Sequence, residues 1–169
     1  MRPMIVCVVA AGLASAACRP APEAARREAA AHDAGFAGVQ SRGRTAMGVD
    51  QYTSTHVFEP LADGGRIVLQ RDVADSAGTA TIRAHLRRIA GAFAAGDFRL
   101  PGFVHAQSVP GTATMRERRA AIRYTMDTLP RGGAVRLQSG DSVAVRAIHE
   151  FLAFQRQEHH AAAHRAGSR

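Results

Sequence analysis

Histidine is the side chain through which this sequence is best equipped to do chemistry. His56, His85, His105 and His149 all fall within residues 47–160, the part of the chain that its patterning marks as folded. Imidazole titrates near neutral pH, serves as an acid or a base, and binds Zn or Cu through a ring nitrogen. Met115 adds a thioether suited to Cu(I). A single inward histidine is ordinarily a hydrogen-bonded core residue, with Tyr124 and Glu150 as available partners, so a site requires several to converge. Convergence would make the four histidines a ligand-binding set, and His56, His105, His149 and Met115 a metal set for Cu or Zn. His160 and His164 stand four apart, a spacing that can chelate on a helix, but near an Ala-rich end they read as solvated. His149 and His159 share a helix face about 15 Å apart and cannot serve one ion.

Other catalytic scaffolds are missing from the sequence. It contains no GxSxG, no HExxH, no P-loop and no GxGxxG ahead of a helix. An enzyme would have to use His105 or His149 as general base, oriented by Asp97 or Glu150. With no nucleophile or cofactor motif beside those bases, the expectation is a binding protein and not an enzyme.

The elements that must position the histidines are written twice. Leu61-Ala-Asp-Gly-Gly-Arg-Ile-Val-Leu69 is echoed by Leu129-Pro-Arg-Gly-Gly-Ala-Val-Arg-Leu137. Each copy has an alternating stretch before it and reads as the turn and second strand of a β-hairpin. Each is followed by an aspartate N-cap signal, Asp75 or Asp141, and an apolar stripe at helical spacing. Ile82, Leu86, Ile89 and Phe93 form the first stripe, stopped at Gly96; Val145, Ile148 and Leu152 form the second. The expected fold is α+β: a duplicated ββα unit giving a four-stranded antiparallel sheet with two helices on one face. Matching the halves sets His56 against Tyr124 and His149 against Leu86, and leaves His105 on a long structureless linker, Asp97 to Met115. Such loops are often functional.

The folded part resembles a family of small exported bacterial proteins of uncharacterised function. The resemblance is carried by Met47-Gly-Val-Asp50, Thr55-His56, Asp63-Gly-Gly65, Ile82-Arg-Ala-His-Leu86, Phe93-Ala-Ala-Gly-Asp-Phe98, His105, Val109-Pro-Gly111, Met115 and Ala147-Ile-His-Glu-Phe-Leu-Ala-Phe-Gln155. The family's His-His-Phe is His56-Val-Phe58 here. The resemblance implies export and the domain boundaries, and implies no activity.

The N-terminus agrees with export. Met1-Arg-Pro-Met4 and the apolar run Ile5 to Ala17 have the form of a signal peptide, too short to span a bilayer. Ser15-Ala-Ala-Cys18 resembles a lipobox, which would make Cys18 a lipidated first residue and the sole membrane attachment of an envelope or periplasmic protein. Residues 18–46 read as a flexible tether and 161–169 as a disordered tail. The net charge is +8, and every basic residue is arginine. No basic run interleaved with aromatics appears, so nucleic acid is not an expected partner. The leading expectation is a histidine-lined site for a transition metal or small ligand. The alternative is a metal-free interaction module in which Arg83, Arg87, Arg88, Arg116, Arg118 and Arg119 meet an envelope polyanion or a protein.

Overall fold

The computed structural model describes residues 23–48 and 51–159. The signal-peptide region 1–17, Cys18, His160, His164 and the tail 161–169 lie outside the described residues. Strands β1 (Ser54–Leu61) and β2 (Gly64–Arg71) form one hairpin about the turn Ala62-Asp63. Strands β3 (Ile122–Leu129) and β4 (Gly132–Ser139) form the other about Pro130-Arg131. The hairpins join through β2 and β4, so the antiparallel sheet runs β1-β2-β4-β3. Helices α2 (Ser76–Ala94) and α5 (Ser142–Glu158) are packed against it, and the fold is the expected α+β arrangement.

Local chemistry accounts for the element ends. Asp75 accepts from the Gly78 N–H at 2.9 Å, and Asp141 from the Val143 N–H at 2.8 Å, so each aspartate satisfies a helix donor that has no intrahelical partner. Beyond α2, Gly96 turns the chain at φ +76°. The repeated glycines are required by proximity. A Cβ on Gly64 would overlap the Leu137 carbonyl oxygen, and one on Gly132 the Leu69 carbonyl oxygen.

Each helix covers the hairpin of the other half: α2 packs chiefly on β3 and β4, α5 chiefly on β1 and β2. Leu152 of α5 lies over Gly65, and Leu86 of α2 over Gly133. The exchange corrects the matching of His149 with Leu86. Counted from the capping aspartates, His149 is the counterpart of Arg83, and the two do the same work. Arg83 donates to the Leu129 and Gly132 carbonyls at 2.6 and 2.9 Å. His149 Nε2–H donates to the Leu61 carbonyl at 2.9 Å, at the matching hairpin end. The core stripe of α5 is Ala144, Ala147, Ile148, Phe151, Leu152 and Gln155, while Val145 is only half-buried.

Two further expectations need correction. The stretch read as a flexible tether contains helix α1 (Glu23–Met47). Its alanines favour the helix, and Val39, Gly43 and Met47, successive fourth residues, form a buried face. Arg42 ties that face down by donating to the Val104 carbonyl at 2.7 Å. The linker read as structureless contains α3 (Arg99–His105) and α4 (Thr112–Glu117). Helix α1 packs on α3 and more lightly on α2.

Candidate functional site

The two large helices do not close fully over the sheet. Between them, roofed by the end of α1 and by α3, is a cavity of about 80 Å³. Its walls are apolar: Phe58, Ile67, Leu69, Leu86, Ile89, Phe93, Leu100, Val104 and Phe151. Its polar lining comes from separate elements. Strand β1 supplies His56, α2 His85, α3 His105, and α5 Gln155 together with His159 at its C-cap; Met47 closes the end of α1.

These side chains touch one another. The His56 and His159 rings lie nearly parallel, 11° apart with centroids at 5.5 Å, and His105 meets His159 edge-on at 5.1 Å. His56 Nε2 is 3.4 Å from Met47 Sδ. Buried His105 donates its Nε2–H to Gln155 Oε1 at 3.0 Å, and its Nδ1 lies 3.8 Å from Glu158 Oε2. His56 and His159 are half-buried and form the mouth; His85, His105 and Gln155 lie deeper.

Burial holds the inner imidazoles neutral. It lowers the His105 pKa, against the opposing pull of the Gln155 hydrogen bond and the Glu158 carboxylate. His85 is pushed down to about 4 by burial, and then by the Arg88 guanidinium, whose Nη2 lies 3.1 Å from His85 Nδ1. The same Arg88 nitrogen donates to the Ala46 carbonyl at 2.6 Å, fastening the end of α1. His85 Nδ1 is therefore an acceptor, and its proton sits on Nε2.

A pH dependence of stability follows. The unfolded chain protonates His85 near pH 6.5, the folded chain near 4. Between those values the unfolded state binds more protons, so stability rises with pH, and His105 acts in the same direction. His85 alone should make the protein about 3 kcal/mol less stable below pH 4 than at pH 7. Urea unfolding at pH 4 and pH 7 measures this, and His85→Gln should flatten the difference. An undiminished difference in that variant would show that His85 titrates normally.

The structure brings together three of the four histidines expected to share a site. His56, His85 and His105 line the cavity, whereas His149 is bonded to the Leu61 carbonyl and is not among the lining residues. Met115 is fully buried in the core and does not line the cavity either. The set His56, His105, His149 and Met115 is thus divided. Among the described residues no three His, Cys, Asp or Glu side chains are gathered to hold a metal ion. An imidazole ligates in its ring plane, so the face-to-face pair His56 and His159 presents no shared pocket between its faces. As placed, His56, His105, His149 and Met115 do not form one ligand set.

His159, Gln155 and Met47 are additions to the expected site. Counted from the capping aspartates, Gln155 and His159 are the counterparts of Ile89 and Phe93, so the repeat itself held the signal. His85 is likewise the counterpart of Phe151. Asp97 does not orient His105: it is held by Arg99, which draws its carboxyl down to about 2. The fold and site together define a duplicated α+β domain whose halves differ at the cavity, where His56, His85, Gln155 and His159 stand against Tyr124, Phe151, Ile89 and Phe93. Comparison with protein-family models, with curated proteins and with solved structures gave no match.

Proposed function

We propose that this chain is an exported binding protein that takes a small, largely apolar molecule into the histidine-rimmed cavity. The observation that carries the reading is the convergence of His56, His85, His105, Gln155 and His159 on an apolar cavity. Apolar pockets with a few placed polar groups are the usual form of small-molecule sites. The volume is about half of the roughly 150 Å³ that admits benzene in an engineered core, so the ligand is small or enters only in part. Export is supported by the sequence pattern of residues 1–17. The interaction-module alternative has less support, because Arg83, Arg88, Arg116, Arg118 and Arg119 each donate to an acceptor of the fold itself.

Imidazole NMR tests the proposal. Titration with benzene, phenol or indole should move the ring signals of His56, His85, His105 and His159 together, while His149 stays still. If none of the three moves a cavity histidine at its solubility limit, the proposal fails. Stoichiometric Cu or Zn in untagged protein, lost on His56→Ala, would instead restore the metal reading.

A further inference from the structure

We infer that the cavity selects an uncharged molecule carrying an oxygen acceptor on an apolar body, with Gln155 as the residue that reads it. This rests on the cavity being a small-molecule site. Gln155 and His105 are each only 5% exposed, and both line the cavity. Gln155 Oε1 is occupied by the His105 N–H at 3.0 Å. Its amide Nε2 is buried and has no partner in the protein. A buried amide donor needs an acceptor, and a hydroxyl or carbonyl oxygen of a ligand supplies one where the surrounding walls cannot. The apolar side chains that line the cavity, Phe58, Phe93, Phe151 and Leu69 among them, carry no acceptor.

The charge of the ligand is constrained by the neighbour of Gln155. The bond to Gln155 makes His105 Nδ1 an acceptor, and that atom already lies 3.8 Å from the Glu158 carboxylate. A second carboxylate brought to this corner would stand beside the Glu158 anion and the His105 lone pair, a repulsion that the single amide N–H would have to offset. An ammonium group has no acceptor for the amide N–H. An uncharged oxygen-bearing group satisfies the amide at no such cost.

Benzene, phenol and benzoate differ in this one group and serve as probes of the full-length protein by calorimetric titration. Phenol should bind about tenfold or more tighter than benzene, since a lost hydrogen bond to a buried donor carries that scale. Benzoate should bind more weakly than phenol. In Gln155→Leu the preference for phenol should vanish while benzene binding persists. If benzene binds as well as phenol to the wild-type protein, the amide is served by an ordered water and the inference is overturned, although the cavity remains a binding site. Tighter binding of benzoate would overturn the neutral-ligand requirement. If no probe binds, the cavity reading falls as well.

Discussion

Gly132→Ala should lower stability by about 3–5 kcal/mol, a melting-temperature loss of roughly 10–20 °C. The reason lies in the middle of the sheet. Gly132 pairs with Gln70 of β2 on one side and Leu129 of β3 on the other. A Cβ there would overlap the Leu69 carbonyl oxygen and sit 2.8 Å from the Gln70 Cα and 2.9 Å from the Leu69 carbonyl carbon. All three are backbone atoms, so no rotamer change relieves the overlap. The β2–β4 pairing must open, and that pairing is what joins the two halves. Gly64 faces the same restriction against Leu137 and takes φ +138° as well. Gly91→Ala is the natural control: it is an exposed helical position with open space, and the change should stabilise by about 1 kcal/mol. Thermal melts of the two variants measure the contrast, and equal melting temperatures would refute the close approach of β2 and β4.

Leu152→Ala should cost about 3–5 kcal/mol, for a reason that is specific to the exchanged helices. Leu152 is fully buried, and its Cδ1 lies where a Cβ on Gly65 would stand. Glycine beneath it has no side chain with which to refill the space, so the void left by truncation stays open. Gly65→Ala alone should also destabilise, because the new methyl meets Leu152 and comes within 2.9 Å of the Glu59 carbonyl oxygen. The double variant should cost less than the sum of the two, as the methyl occupies part of the vacated volume. Chemical denaturation of the single and double variants closes the cycle. Strict additivity would mean that α5 does not rest on Gly65.

The scaffold was legible where its signals were local. Alternation in Thr55 to Glu59, the short apolar run of Arg66 to Gln70, the aspartate caps, and the stripe Ile82, Leu86, Ile89 and Phe93 each act over a few residues, and each matches its element. Helix α1 was not legible because its buried face uses Val39, Gly43 and Met47, and a glycine among alanines shows no apolar stripe. Helices α3 and α4 are single or double turns in a stretch carrying Pro101, Gly102, Pro110 and Gly111, which read as loop chemistry.

The site was half legible. His56, His85 and His105 were recognisable by residue type, but which histidines meet depends on how helices cross the sheet. Matching apolar stripes placed His149 inward; the caps place it at the hairpin end, doing what Arg83 does. His159 reads only as too far from His149 to share an ion with it, although its cap-counted position is that of Phe93, a core residue.

The central claim is that the binding site is the departure of one half from the other on a shared scaffold. Combining His56→Tyr, Gln155→Ile and His159→Phe installs at each position the residue type found at its counterpart, Tyr124, Ile89 and Phe93. Melting temperature and phenol binding of this triple variant, measured beside the wild-type protein, give the most direct test. The account predicts wild-type phenol binding, and a variant that melts no lower yet no longer binds phenol. A stably folded variant that binds phenol with undiminished affinity would contradict it.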